Sequence, residues 1–319
     1  MPGTRLKEAM ARIVIPEFMD EDAVARLARD HAVFYDAALV DDPVELRRLV
    51  SDVDALIVRN RTLVRDDLLN AMPHCKVIGR LGVGLDNIDV HACATRGIAV
   101  IPATGANAQS VAEYVIAVTL LLIRAGAYAS TADVVAGRWP RAALSNGREV
   151  GGRVLGVIGF GSIGQATARL AQGIGMRVIA HDAAHGIDDG VYRDAGVESM
   201  PFGAVLSTAD VLSIHVPLVA STRNLFDADR IAAMKRGAVL VNTARGGIVD
   251  EAAVAAALKS GHLGGAALDV FEVEPLGPSN PFAGCPNLLL TPHIAGVSIE
   301  SNARVSSLIA DRVAEALRR

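Results

Sequence analysis

The stretch RVLGVIGFGSIGQATARLAQGIGMRVIAHD, residues 153–182, decides the fold. An apolar, strand-like run stops at Gly159, glycine returns at Gly161 and Gly164, a helix-like segment follows, and a second apolar run ends in Asp182. In this GxGxxG spacing the first glycine permits a tight turn, the second lets backbone approach a pyrophosphate, and the third lets helix and strand pack closely. Ser162 and Ile163 then open the helix, whose N-terminus faces the anion. Glycine-rich strand-to-helix turns also occur where nothing binds. Here the flanking strand and helix are in place, and Asp182 stands 18 residues after Gly164, where an acid accepts hydrogen bonds from adenosine ribose hydroxyls. A carboxylate there repels a 2'-phosphate, and the following Ala183, Ala184 and His185 bring no arginine, so NAD is expected over NADP. His181 and His185, if cationic, would soften that preference.

Either side of this stretch, short apolar runs alternate with amphipathic segments. The first hundred residues hold RIVI (12–15), AVFY (32–35), ALIV (55–58), KVIG (76–79) and IAVI (98–101), the pattern of an α/β domain whose parallel sheet is covered on both faces. A long apolar helix and a polar arm over 127–150 come next, and the glycine stretch then opens a second series. Six β-like runs in that series describe an open, doubly wound sheet. The segment from Ser298 onward reads as a terminal amphipathic helix.

With 319 residues, two domains are the first expectation. Hydrophobic residues make up 51% against 21% charged, which excludes disorder. A net charge of -4 offers nucleic acid no basic field, so a small ligand is the expected partner. Cys75, Cys93 and Cys285 match neither a disulfide framework nor a metal-ligand spacing, so no metal is expected and a reducing cytoplasm fits. The N-terminus has no apolar leader-like run, and the apolar stretch over 115–123 ends at Arg124, far short of the roughly 20 residues that span a bilayer. Neither secretion nor a membrane is expected.

Ligands of a doubly wound sheet collect at the carboxyl ends of its strands. HVP (215–217), NTARGG (242–247), DVFEVEP (269–275) and TPHIAG (291–296) lie at such ends. Singly, Arg245, Glu274 and His293 read equally well as an ion-paired surface arginine, a solvated loop acid and a satisfied strand-end histidine. Together they are what hydride transfer from an alcohol requires: a base for the hydroxyl proton, a fixed cation for a carboxylate, and an acid that orients the base and raises its pKa. Gly246 and Gly247 are expected to leave room for ligands beside Arg245.

GRLGVGLDNIDV (79–90), ANAQSVAEY (106–114), GVIGFGSIG (156–164), HVPL (215–218), NTARGGIVDE (242–251), DVFEVEP (269–275) and TPHIAG (291–296) resemble, in order and over essentially the whole chain, the D-isomer-specific 2-hydroxyacid dehydrogenase family. The resemblance implies two doubly wound parallel-sheet domains. One is a Rossmann NAD-binding domain over 105–293, including a dimerisation helix and arm over 107–150 that build a homodimer. The other is a smaller, discontinuous, flavodoxin-like substrate domain of 1–104 plus 294–319, which closes over the first. It makes Arg245 the carboxylate clamp, His293 the acid/base and Glu274 its partner. It also assigns cofactor contacts to Asp182, His215, Val216, Pro217, Thr222, Thr243, Ala244, Arg245, Asp269, His293, Ala295 and Gly296, and substrate contacts to Arg59, Asn60, Arg61, Leu81, Gly82, Val83, Gly84 and Arg245, with the amides of LGVG holding a carboxylate.

ALIVRNRTLV and GRLGVGLDNIDV are most similar to the 3-phosphoglycerate dehydrogenase branch, and Arg59 with Arg61 would suit a second anionic group on the substrate. IVIPEFMDEDAV and VFYDAALVDDP resemble (S)-sulfolactate dehydrogenases of that branch. Phosphate and sulfonate stay undivided at this level, and glyoxylate or hydroxypyruvate remain open. The chain ends soon after TPHIAG, so feedback through a C-terminal regulatory domain is not expected. A NAD-sensing corepressor on the same fold is the reading from another class. Formate oxidation is disfavoured because that branch has glutamine where Glu274 stands.

Overall fold

A computed structural model describes residues 10–318. The first nine residues, on which the expectation of no leader segment partly rests, lie outside the described residues. The chain divides into two compact units, one of the described residues up to Asn107 together with those from Ser298 onward, the other Ala108–Val297. The expected boundaries at 104 and 294 move to 107 and 298 because the chain changes unit where a helix starts: one begins at Ala108, and Ser298 caps another through a reciprocal bond pair with Ser301.

The first unit holds strands β1 (Arg12–Ile15), β2 (Ala32–Tyr35), β3 (Ala55–Val58), β4 (Val77–Arg80) and β5 (Ala99–Pro102), with helices α1 (Glu21–Leu27), α2 (Pro43–Leu49), α3 (Asp66–Asn70) and α4 (Val90–Thr95). All neighbours are parallel, in the order β2-β1-β3-β4-β5, the flavodoxin-like winding. Alternate side chains supply two cores. Ile13, Ile15 and Ile57 face α1 and the terminal helix, while Val14, Leu56, Val58 and Ile78 face α2, α3 and α4. Gly79 lets the terminal helix approach, since a Cβ there would lie 2.6 Å from Ile309 and 2.8 Å from Val313.

The second unit opens with α5 (Ala108–Ile123) and α6 (Thr131–Val135). It continues through β6 (Val154–Ile158), α7 (Ser162–Gly173), β7 (Arg177–His181), α8 (Gly190–Asp194), β8 (Glu198–Ser199), α9 (Phe202–Thr208), β9 (Val211–Ile214), α10 (Ala228–Ala232), β10 (Val239–Asn242), α11 (Glu251–Lys259), β11 (Gly265–Leu268) and β12 (Leu288–Leu290). The remaining helix, α12 (Ile299–Leu317), belongs to the first unit. Seven parallel strands are ordered β12-β11-β10-β9-β6-β7-β8, a Rossmann winding whose direction reverses between β6 and β9. Six strands were expected. The seventh, β8, is two residues long and has too little apolar character to announce itself. Every residue of β6, β9, β10 and β11 is buried, with α5 and α7 over one face and α9, α10 and α11 over the other. Among the described residues no single helix is long and apolar enough to cross a membrane, and no cluster of His, Cys, Asp or Glu could hold a metal ion.

Candidate active site

The turn after β6 is shaped from inside by two of its glycines and left open by the third. Gly159 has φ +94°, and a Cβ on it would lie 2.6 Å from the His215 carbonyl oxygen. On Gly164 a Cβ would lie 2.2 Å from the Gly159 carbonyl oxygen, so helix α7 can start this close to β6 only with glycine there. Around Gly161 nothing comes within 4 Å, and no side chain caps the first turn of α7. Backbone amides at Gly161, Ser162 and Ile163 are therefore presented outward, where a pyrophosphate needs them. Asp182, at the end of β7, takes the Phe160 amide on one carboxylate oxygen at 2.6 Å and the Ala184 amide on the other at 2.8 Å. Each oxygen retains an acceptor position for a ribose hydroxyl. At the ends of β9 and β10, His215 Nδ1 and Thr243 Oγ1 are buried with no partner among the described residues. His215 holds Ser213 Oγ through Nε2 at 2.9 Å, and burial pushes its imidazole down to about 3, so it is neutral at physiological pH. Two buried polar atoms unmet at the edge where ligands collect, beside an open glycine cradle, fit a dinucleotide. Val216 is half-buried and Pro217 exposed, while the Thr222 hydroxyl is committed to its own loop, donating to the Pro217 carbonyl and accepting from the Val219 amide.

Three strand ends farther along hold the charged groups. His293 follows β12, with its Nδ1 2.8 Å from Glu274 Oε2, and Glu274 Oε1 accepts the Phe271 amide. A carboxylate fixed on Nδ1 leaves Nε2 as the nitrogen that exchanges a proton with a ligand. The His293 side chain is 42% exposed, open enough to meet a substrate. Its backbone has φ +56° and is pinned by its amide, which donates to the Asp269 carbonyl. Asp269 itself is 1% exposed, and its carboxylate accepts the Thr291 hydroxyl and the Ile294 and Ala295 amides. Tyr114 of α5 donates to Thr291 Oγ1 at 2.6 Å. Asp269, assigned from resemblance to the cofactor, is thus first the brace of the turn that carries His293 and Gly296. Tyr114 and Thr291 in that brace were missed, although both lie inside quoted motifs.

Arg245 is delivered by a similar device. The buried Asn242 at the end of β10 accepts the Ala244 amide and donates to the Arg245 carbonyl, closing a turn that presents the half-buried arginine. The expectation that Gly246 makes room for a ligand is corrected. A Cβ there would lie 1.8 Å from the Phe271 carbonyl oxygen, so the space is filled by backbone of the 269–274 segment. Gly246 seats the arginine turn against the loop that carries Glu274. Gly247 is glycine because its φ is +73°.

In the first unit the RNRT loop follows β3. Its shape comes from Glu17, 3% exposed, whose carboxylate accepts the amides of Arg59 at 2.8 Å and of Arg61 and Thr62 at 3.0 Å. Nothing in the sequence singled out Glu17. The Arg59 guanidinium lies 5.6 Å over the Phe18 ring and donates to Asn302 Oδ1 at 2.8 Å, and burial pulls its pKa below the usual arginine value. Arg61 is instead paired with Asp41 on the surface. Asn87 donates to the Arg59 and Thr62 carbonyls beneath Asn60. The expectation that all the Leu81–Gly84 amides face an acid is corrected in half: the Leu81 amide donates to the Val58 carbonyl and the Gly82 amide to the Arg80 carbonyl. Arg80 lies against this loop, donating to the Leu81 carbonyl, and a Cβ on Gly82 would fall 1.5 Å from its Nη1.

Comparison with known proteins agrees with this chemistry. Residues 116–295 match the family model of the D-isomer specific 2-hydroxyacid dehydrogenase, NAD binding domain. The (S)-sulfolactate dehydrogenase of Chromohalobacter salexigens is 52% identical over 97% of this chain and 99% of its own. A D-3-phosphoglycerate dehydrogenase of Archaeoglobus fulgidus is 36% identical over 95% of this chain, which spans 56% of that relative. Among solved structures, the TT0316 protein of Thermus thermophilus superposes with a TM-score of 0.86 at 32% identity, covering 96% of this chain and 97% of the other.

Proposed function

Because the chain belongs to the D-isomer-specific 2-hydroxyacid dehydrogenase family and is a NAD-dependent oxidoreductase of 2-hydroxy acids, we propose that its substrate carries a second anionic group, with (S)-sulfolactate and its 2-oxo acid first. The reaction reading rests on one observation above all, the His293–Glu274 pair at 2.8 Å beside a turn built to present Arg245. Bound at the glycine turn, NAD supplies or accepts the hydride. His293 Nε2 takes the hydroxyl proton when the acid is oxidised and returns it to the carbonyl oxygen on reduction, while Glu274 holds the ring and balances the imidazolium charge. Arg245 grips the carboxylate with its planar fork and polarises the carbonyl. Asp182, His215, Thr243 and Ala244 hold the cofactor, and Arg59, Asn60 and Val83–Gly84 hold the acid.

The half-identical relative of nearly equal length favours a sulfonate over the phosphoglycerate first expected, whose enzymes match at lower identity and are longer, this chain spanning 56% of the Archaeoglobus one. Stereochemistry is consistent, because sulfur outranks the carboxyl group and (S)-sulfolactate therefore has the spatial arrangement of a D-hydroxy acid. The test is NADH oxidation against sulfopyruvate, phosphohydroxypyruvate, glyoxylate, hydroxypyruvate and pyruvate. Sulfopyruvate is expected to have the highest kcat/KM, and a preference for glyoxylate or pyruvate would overturn the second anionic group. We further propose a homodimer through α5 and the arm, where Val135, Trp139 and Tyr128 are 83%, 77% and 60% exposed. Light scattering that finds a monomer at micromolar concentration removes this claim.

A further inference from the structure

Resting on the reading that the RNRT loop meets the substrate's second anionic group, we propose that Asp41 restricts that group to a single negative charge by holding Arg61 in an ion pair. The loop carries two guanidinium groups and is matched by two carboxylates. Glu17 is buried beneath it, with both oxygens spent on three loop amides. Asp41 faces Arg61 across both terminal nitrogens, and this hydrogen-bonded contact holds the guanidinium firmly in its charged form. Arg59 differs: its side chain donates to the neutral Asn302, at 2.8 Å, and lies over the Phe18 ring, and the carboxylate that acts on it, Glu17, is already spent on the loop amides. Arg80 belongs to the other loop, against Gly82 and the Leu81 carbonyl, with the Val83 and Gly84 amides for the carboxylate end.

One guanidinium in a partly desolvated seat, with no carboxylate among the described residues hydrogen-bonded to it, suits a sulfonate, which carries one charge at any physiological pH. A phosphate monoester carries 1.5 to 2 negative charges near neutrality. Its additional charge would face Asp41 with Arg61 already neutralised. Asp41 and Arg61 side chains are 63% and 58% exposed, so water screens the repulsion, and the discrimination expected from it is about tenfold rather than thousandfold. Asp41 acts here only through Arg61 and touches no reacting atom.

The experiment compares kcat/KM for sulfopyruvate and phosphohydroxypyruvate in the wild type, in Asp41→Asn and in Asp41→Asn with Arg61→Gln, with hydroxypyruvate as the reference for any general loss of activity. The exposed, isosteric Asp41→Asn change leaves the loop amides on Glu17, and the thermal midpoint verifies folding. The phosphate-to-sulfonate ratio should rise about tenfold in Asp41→Asn and fall back in the double variant. A ratio that stays within twofold of wild type in Asp41→Asn overturns the role of Asp41 while leaving the substrate reading intact. Failure of the wild type to reduce either anionic acid overturns both.

Discussion

The carboxyl edges of the two sheets solve the same problem in different ways. In the second unit, the side chains proposed to perform chemistry are held mostly from nearby in the chain: Asn242 shapes the turn of Arg245 from three residues away, Glu274 meets His293 from 19 and Asp269 braces its turn from 24, with Tyr114 of α5 the distant exception. In the first unit the RNRT loop depends on Glu17, 42 residues before Arg59 in sequence, and its cations are set by the adjacent Phe18 and by Asp41 and Asn302 from two other segments. A catalytic group must be aimed to within a fraction of an ångström, which favours short, saturated backbone turns. A specificity loop needs only the right charge and donors, which distant side chains can supply.

If that contrast is right, substitutions at the two edges separate kcat from KM. The largest effect belongs to His293→Ala, which should lower kcat by about a thousandfold while NADH titration by fluorescence stays within twofold. Turnover within tenfold of wild type would mean that the proton passes elsewhere. Next comes His215, which sharpens the contrast through stability. Its imidazole, held near 3 by burial, ordinarily titrates at 6.5, so the unfolded chain takes up a proton that the fold refuses. Stability is therefore fully present above pH 6.5 and is lost as pH falls from 6.5 towards 3. Denaturant unfolding of His215→Asn at pH 7.5 and 4.5 should show a loss smaller than wild type by about 2 kcal/mol. Equal losses would place a hydrated, titrating imidazole at the end of β9.

What the sequence disclosed follows the same divide. The strands of the second unit were readable because burial on both faces makes them continuous apolar runs, and the glycine turn because Gly159 and Gly164 are demanded by backbone crowding that no other residue tolerates. Arg245, Glu274 and His293 could be picked out only together, because each alone read equally well as an ordinary surface or strand-end group, while the three following neighbouring strand ends of one sheet matched the needs of hydride transfer. Gly246 was found but misread, because a glycine that admits a ligand and one that admits a neighbouring carbonyl look alike in one dimension. The amides of Leu81 and Gly82 were misassigned for a related reason: whether an N–H is spent depends on a partner strand, here the Val58 carbonyl, that the motif does not contain. Glu17 was not legible at all, being an acid in an ordinary strand-to-helix connection until the fold brings Arg59, Arg61 and Thr62 onto it.

Gly82→Ala probes the first unit with a change of middle size. The added methyl displaces the tip of a flexible side chain, Arg80 Nη1, and also puts a Cβ on a backbone with φ +155°, so the thermal midpoint should fall along with the change in the loop. KM for the preferred 2-oxo acid should rise about tenfold with kcat within twofold, the reverse of His293→Ala. A fall in kcat with KM unchanged would break the division of labour between the two edges.

The smallest effect, and the finest test of the brace, is Tyr114→Phe. The Tyr114 hydroxyl donates to Thr291, and the Thr291 hydroxyl spends its own hydrogen on Asp269. Burial raises the Tyr114 pKa, which keeps the phenol protonated and the chain of donors pointed one way. Removing the phenol hydroxyl leaves Thr291 with one unmet lone pair but its bond to Asp269 intact, at a cost of about 1 kcal/mol or less in stability and about a twofold fall in kcat. Thr291→Val cuts the bond to Asp269 itself and should lower kcat further, by about fivefold, while KM for NADH barely moves. If both variants match wild type in kcat, the turn of His293 is held by its amide on the Asp269 carbonyl and by the Ile294 and Ala295 amides on the Asp269 carboxylate, and the Tyr114 and Thr291 hydroxyls serve only the packing of α5.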